Sequence, residues 1–114
     1  MARVSVIIPA YNASATIREA LMSIKSQTFT DWEAVVVNDG SKDDTAAVVE
    51  SCAAELGGRL VYVYQENKGL PAARNTAIRN ASGELFALLD SDDVWLPKRL
   101  ELGIAVMDRD RSIG

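Results

Sequence analysis

Four short apolar runs alternate with four segments of helical periodicity, and this alternation limits the folds that the chain can adopt. The apolar runs cover residues 4–8, 33–37, 60–64 and 85–89. Each precedes apolar residues spaced as on one face of a helix: Ile17, Ala20, Leu21 and Ile24; Val49, Cys52, Ala53 and Leu56; Leu70, Ala73 and Ala77; Leu96, Leu100, Ile104 and Met107. Continuous apolar strands that alternate with helices favour parallel pairing through right-handed crossovers. The sequence therefore predicts an α/β fold with an open, mostly parallel sheet and flanking helices.

Length and composition exclude several classes of function. A chain of 114 residues with 48% hydrophobic and 25% charged residues fits one globular domain. Twelve basic against sixteen acidic residues, without a basic cluster, argue against a nucleic-acid partner. The single cysteine and the lack of histidine exclude an internal disulfide, an imidazole base and a histidine-bound metal. No apolar stretch approaches the roughly 20 residues of a membrane span, and no signal peptide is recognisable, so we predict a cytoplasmic segment.

The polar residues are concentrated at the predicted carboxyl ends of the strands. They occupy residues 9–12, 38–41, 65–69 and 90–93. Ligands of open α/β sheets bind at this edge. Neither a GxGxxG fingerprint nor a GxxxxGK[ST] loop is present, which argues against a dinucleotide-binding dehydrogenase and a P-loop phosphotransferase. A phosphate bound here would have to be held through a metal.

The fourth strand end carries the clearest chemical signal. Asp90, Asp92 and Asp93 directly follow a buried-strand pattern, and carboxylates this close together repel one another unless a cation offsets their charge. Oxygen ligands on a short loop suit Mg²⁺ or Mn²⁺, which share their coordination with substrate phosphates. The alternative is a solvated acidic turn that caps the following helix.

Taken together, the strand-end motifs resemble those of the family 2 glycosyltransferases, enzymes of the GT-A fold that use nucleotide sugars. The matching segments are residues 4–12 (VSVIIPAYN), 37–41 (VNDGS) with Asp44 and Thr45, 67–69 (NKG) with 73–75 (ARN), and 89–93 (LDSDD). They span almost the whole chain in the family's order. The resemblance implies a Rossmann-like GT-A nucleotide-binding half, one domain over residues 1–114 that stops before the acceptor-binding half.

The resemblance also implies roles for individual residues. Pro9, Ala10 and Tyr11 would line the nucleoside pocket together with Asn12, and Asp39 would accept a hydrogen bond from uracil N3–H. Arg74 would help enclose the nucleotide, and Gly69 would allow the backbone to pass close to it. Asp90 and Asp92 match the DxD motif, in which the second acid binds the metal and the first contacts ribose or metal-bound water. Ser91 lies within that motif, and Asp93 would share either task.

The implied reaction is inverting transfer of a sugar from a UDP-sugar to an unknown acceptor hydroxyl. Mn²⁺ or Mg²⁺ would stabilise the leaving diphosphate, and the general base would lie beyond Gly114. The rival hypothesis is a catalytically incomplete nucleotide-binding or assembly module. A nucleotidyltransferase ranks low because the loop after the first strand lacks glycine and basic residues. A truncated sheet would expose an edge, so a homo-oligomer is a further expectation.

Other interpretations stay open for single residues. Asp39 could close an Asp-Gly turn, and Arg74 could form a surface ion pair. Asn12 could cap a helix. Asp43 and Asp44 are predicted to be carboxylates at the start of a helix, where the helix dipole stabilises negative charge. Tyr11 could be a packing aromatic, and Cys52 is predicted to be a core residue. Trp32 and Trp95 are predicted to be core or interface residues, and a sugar platform stays open for Trp95, which lies near the acidic loop.

Overall fold

The computed structural model describes the backbone of residues 2–113 and the side chains of residues 2–106. Strands and helices alternate along it as the apolar runs predict. The elements are β1 (Val4–Ala10), α1 (Ile17–Lys25), β2 (Trp32–Asp39), α2 (Thr45–Cys52), β3 (Leu60–Gln65), α3 (Leu70–Arg79), β4 (Leu85–Leu88) and α4 (Arg99–Ile113). The predicted α/β class and the open sheet are confirmed.

The four strands form one sheet in the order β3-β2-β1-β4, and every pairing is parallel. Even-numbered residues of β1 and β2 pack against α1, α2 and α4 in the larger core cluster. Odd-numbered residues, such as Ile7 and Val35, pack against Ala73 and Ala77 of α3 on the opposite face. Because central strands are covered on both faces, β1 is buried along its whole length, as a continuous apolar run requires.

Both central strands run further than the sequence pattern indicates. Pro9, Ala10 and Asp39, which we expected in the loops, are the last residues of β1 and β2. A proline normally interrupts a central strand because it lacks an N–H donor. Here the pairing of β1 with β4 ends at Ile7 and Leu88, so Pro9 interrupts no ladder to β4.

The helical stripes are mostly correct, with three differences among the described side chains. Ala53 is exposed beyond the end of α2, and Leu96 is 80% exposed because α4 begins only at Arg99. Leu70 is 49% exposed because it starts α3 at the edge of the sheet. The side chain of Met107 lies outside the described residues. Trp32, Trp95 and Cys52 are buried in the core, as predicted.

At the β4 side of the sheet, Phe86 and Leu88 are more than half exposed. These residues give β4 an apolar outer face, and the homo-oligomer stays a prediction. No helix in the described part of the chain is long and apolar enough to cross a membrane.

Candidate functional site

An open cleft of about 600 Å³ lies at the carboxyl edge of the sheet. It is formed by the end of β1, the loop that follows β1, the first turns of α3 and the acidic loop after β4. Its lining residues are Pro9, Tyr11, Asn12, Ala13, Thr16, Leu70, Arg74, Asp90, Ser91 and Asp92. The predicted residues Ala10, Gly69 and Asp93 are sequence neighbours of lining residues but do not line the cleft themselves, and neither does Asp39.

A short turn brings the three carboxylates of the acidic loop together. The Asp93 backbone N–H donates to the Asp90 carbonyl at 3.0 Å, and one carboxylate oxygen each of Asp90, Asp92 and Asp93 lies within 4.8 Å of the other two. The loop is anchored by Leu89, which is 1% exposed and donates its N–H to the carbonyl of Ile7. All three carboxylates are exposed, so this oxygen donor set fits a divalent cation that keeps several waters.

Arg74 lines the same cleft from α3. Its guanidinium forms no ion pair with any side chain in the described part of the chain, and its Nε is buried without a hydrogen-bond partner. The surface ion pair considered above is therefore not found. A buried unpaired donor of this kind is costly, and an anionic ligand in the cleft would satisfy it.

Asp39 lies behind the cleft with only 1% of its surface exposed. Its Oδ1 accepts hydrogen bonds from the Gln65 side chain and the Lys68 N–H, both at 2.9 Å, and its Oδ2 accepts one from the Gly69 N–H at 3.0 Å. Burial opposes ionisation of this carboxyl, but the three hydrogen bonds and the charge of Lys68 outweigh it and lower its pKa. The carboxylate thus joins the end of β2 to the start of α3.

Gly69 takes the N-cap position of α3 with φ of +95°, a conformation that side chains with a Cβ rarely adopt. This glycine lets the chain turn sharply from β3 into α3. It therefore determines where α3 begins and, through the helix, where Arg74 enters the cleft.

The loop between β1 and α1 supplies the opposite part of the lining. Tyr11 is 42% exposed, which contradicts a packing role. Asn12 adopts φ of +49°, and it does not cap α1, because the N-cap of that helix is Thr16. The Asn12 side chain instead accepts a hydrogen bond from the Lys42 N–H at 2.8 Å.

Three lining residues were missed from the sequence. Ala13 and Thr16 extend the loop after Asn12, and Leu70 had been assigned to the core side of α3. Leu70 directly follows Gly69 at the start of α3. That position was the signal in the sequence that could have placed Leu70 at the cleft. The residues that hold the loops, Gln65, Asp43 and Thr45, were missed as well, because their bonds join segments distant in sequence.

Comparisons with known proteins identify a family and several relatives. A family model described as glycosyl transferase family 2 matches residues 5–114. The UDP-Glc:alpha-D-GlcNAc-diphosphoundecaprenol beta-1,3-glucosyltransferase WfgD of Escherichia coli is 41% identical over 91% of this chain and 40% of its own length. The structure of S. aureus TarS in complex with UDP-GlcNAc matches with a TM-score of 0.86 at 37% identity, over 96% of this chain and 32% of TarS.

A second similar structure contains Mn²⁺ and a nucleotide sugar whose base is guanine instead of uracil. The mannosyltransferase PcManGT from Pyrobaculum calidifontis, in complex with GDP-Man and Mn²⁺, matches with a TM-score of 0.81 at 38% identity, over 91% of this chain and 31% of PcManGT. The chain spans less than half the length of each of these three relatives.

Proposed function

The chain belongs to glycosyl transferase family 2, and from this premise we propose that it forms the donor-binding part of an enzyme that transfers the sugar of a UDP-sugar. One observation carries the proposal: Asp90 and Asp92 line the same cleft as the unpaired guanidinium of Arg74. A nucleoside diphosphate needs cations around its phosphates, and this cleft offers an arginine together with a carboxylate set that fits a divalent ion. The relatives bound to UDP-GlcNAc and to GDP-Man with Mn²⁺ support the same class of ligand.

At the phosphate end, Asp92 would bind Mn²⁺ or Mg²⁺, with Asp90 and Asp93 as further ligands directly or through water. When bound, such an ion supplies a Lewis acid that stabilises negative charge on the departing diphosphate. Arg74 would donate charged hydrogen bonds to the same phosphates. Ser91, between the two DxD carboxylates, offers a hydroxyl at the cleft wall.

At the nucleoside end, Tyr11 offers an exposed ring against which a base can stack. Pro9 and Asn12 line this end of the cleft, Ala10 joins them as the buried last residue of β1, and Gly69 lets α3 start close by. Asp39 keeps acceptor capacity on Oδ2, which receives one hydrogen bond from the protein. Because Asp39 is 1% exposed and does not line the cleft, a contact with the base requires the residues in front of Asp39 to move. With that movement uracil N3–H and guanine N1–H can both donate to Oδ2, whereas cytosine N3 carries no proton, so we propose discrimination against CDP.

The reaction we propose is inverting displacement of the nucleoside diphosphate by an acceptor hydroxyl. Residues 1–114 would form one donor-binding domain of a cytoplasmic enzyme, and the general base and the acceptor site would lie outside them. The alternative is that this segment binds nucleotide without transferring sugar. A transfer assay that compares this chain with the full-length protein distinguishes the two, because a binding module leaves the UDP-sugar intact at saturating donor.

Calorimetry with UDP in Mn²⁺ or in EDTA tests donor binding directly. We expect Mn²⁺ to strengthen binding and Asp92→Asn to abolish that gain. Arg74→Gln should weaken binding about 10- to 100-fold, because one charged hydrogen bond contributes about 1.5–3 kcal/mol. The matched control is Asp31→Asn, which removes an exposed carboxylate just before β2, at the opposite edge of the sheet. Undetectable binding at millimolar UDP, or equal affinity in Asp92→Asn and the unaltered chain with Mn²⁺, would refute the assignment.

A further inference from the structure

The loop between β1 and α1 donates three consecutive backbone N–H groups to side chains of a single distant loop. The acceptors lie between β2 and α2 or at the first residue of α2. The N–H of Asn12 donates to Ser41 Oγ at 2.9 Å, that of Ala13 to Thr45 Oγ1 at 2.9 Å, and that of Ser14 to Asp43 Oδ2 at 3.1 Å. A fourth bond runs in the opposite direction, from the Lys42 N–H to Asn12 Oδ1 at 2.8 Å. We call these four bonds the loop latch.

Asp43 and Thr45 form the centre of the loop latch. The Thr45 hydroxyl accepts from the Ala13 N–H and donates its own proton to Asp43 Oδ1. The same Oδ1 accepts from the Thr45 N–H at 3.0 Å, which leaves Oδ2 for Ser14. The Thr45 hydroxyl bond, followed by those from Ser14, lowers the pKa of Asp43 to about 2. Near neutral pH Asp43 is therefore a carboxylate that accepts three hydrogen bonds, two from Thr45 and one from Ser14.

These contacts differ from the role expected of an early-helix carboxylate. Asp43 precedes α2, whose N-cap is Asp44, and the Asp44 side chain makes no capping hydrogen bond. Neither Asp43 nor Thr45 lines the cleft. Yet the loop that they hold contributes Tyr11, Asn12 and Ala13 to it, and Tyr11 and Asn12 are exposed. Packing holds this loop at Ala13, which is 5% exposed in the larger core cluster, but it does little for the exposed residues Tyr11 and Asn12. Hydrogen bonds must fix that part of the loop.

We propose that Asp43 and Thr45 are positioning residues that hold the β1–α1 loop in the shape that receives the nucleoside. The claim that the held loop receives a nucleoside rests on the proposed function. The claim that Asp43 and Thr45 hold the loop does not. When only a fraction of molecules has the competent loop, the apparent affinity falls by that fraction. Loss of the latch should thus weaken UDP binding although neither residue touches the ligand.

The test uses two measurements on the same variants. Amide hydrogen exchange of Asn12, Ala13 and Ser14, followed by NMR without nucleotide, reports on the latch. Calorimetry with UDP and Mn²⁺ reports on the nucleoside site. Asp43→Asn replaces one carboxylate oxygen by an NH₂ group. That group faces a backbone N–H which donates to the oxygen in the unaltered chain, so two donors oppose each other. The matched control is Asp44→Asn, which makes the same change of charge one residue away.

Thr45 provides a second pair of variants. Thr45→Val keeps the shape of the side chain and removes the hydroxyl, whereas Thr45→Ser keeps the hydroxyl and should restore the latch. We expect Asp43→Asn and Thr45→Val to speed exchange of the loop amides at least about tenfold and to weaken UDP binding about 5- to 10-fold. Asp44→Asn and Thr45→Ser should stay within about twofold of the unaltered chain. Since Thr45 is fully buried and Asp43 is exposed, Asp43→Asn remains informative if Thr45→Val does not fold.

The outcomes separate the two claims. Unchanged exchange of the loop amides in Asp43→Asn would overturn the latch. Faster exchange with unchanged UDP affinity would overturn the positioning role. If the unaltered chain protects these amides but binds no UDP, the proposed function fails and the hold on the loop stands.

Discussion

Replacing Asp39 by asparagine should destabilise the protein far more than replacing an exposed aspartate. The carboxylate is 1% exposed and accepts three hydrogen bonds, from Gln65, Lys68 and Gly69. Asparagine has one oxygen, which can keep the two donors of Oδ1. Its NH₂ group then occupies the place of Oδ2 and faces the Gly69 N–H, so two donors oppose each other.

The magnitude follows from these contacts. The Gly69 N–H loses its acceptor, which costs about 1–3 kcal/mol, and each retained bond changes from a charged to a neutral one, which costs about 1 kcal/mol more. The neutral amide is easier to bury than the carboxylate, and this offsets part of the loss. We therefore expect the free energy of unfolding to fall by about 2–3 kcal/mol, a large part of the 5–15 kcal/mol typical of a domain.

Urea unfolding followed by tryptophan fluorescence measures this loss, because Trp32 and Trp95 are both buried. The control Asp31→Asn should stay within about 0.5 kcal/mol of the unaltered chain. The pKa of Asp39 is lower in the folded protein than in the unfolded chain, where it is about 3.9. The carboxylate therefore contributes its full stabilisation above the unfolded pKa and loses it as pH falls through the folded pKa. The difference between the unaltered chain and Asp39→Asn should accordingly shrink below pH 4. A loss under 0.5 kcal/mol at pH 7 would refute this reasoning.

Two further predictions concern the packing of the loops. Gly40→Ala should cost at least about 2 kcal/mol in urea unfolding, because φ is +71° and the new Cβ would lie 2.6 Å from the backbone nitrogen of Asn67. Gly58→Ala, with φ of +81° and no atom within 4 Å, isolates the backbone strain and should cost about 1 kcal/mol; equal losses would exclude a steric contribution. Gln27→Leu should cost about 2–3 kcal/mol and speed amide exchange at Leu100, whose N–H donates to Gln27 Oε1 at 3.0 Å; unchanged exchange there would contradict the role of this glutamine.

The sequence predicts the sheet and the edge of the site because both depend on local patterns. Alternating apolar runs identified four strands, and the polar strand ends identified the edge at which Tyr11, Arg74 and Asp92 meet. Periodicity could not show that Leu70 extends past the sheet, because an apolar stripe does not reveal where along a helix the core ends. It also could not distinguish Asp43 from Asp44, since both suit a helix start.

What local patterns miss is the set of bonds between loops. Asp43 reaches Ser14 across 29 residues, and Asp39 reaches Gly69 across 30. No periodicity records such pairs, because they arise only when the strand order brings two loops side by side. The order β3-β2-β1 does this for the loop that follows β2, which has a neighbouring loop on each flank.

That central place gives the end of β2 and the loop that follows it control over both walls of the cleft. Toward β1 it holds the loop of Tyr11 through Asp43, and toward β3 it holds the start of α3, and hence Arg74, through Asp39. The acidic loop is fastened separately, because its anchor Leu89 donates its N–H to the Ile7 carbonyl of β1 and the Gln27 side chain donates to the Leu96 carbonyl just beyond the loop. The acidic loop thus depends on different bonds from the two walls that carry Tyr11 and Arg74, which share their anchor around the end of β2. Because sites that share no partners have nearly additive energies, a substitution in the acidic loop should change metal binding without loosening either wall.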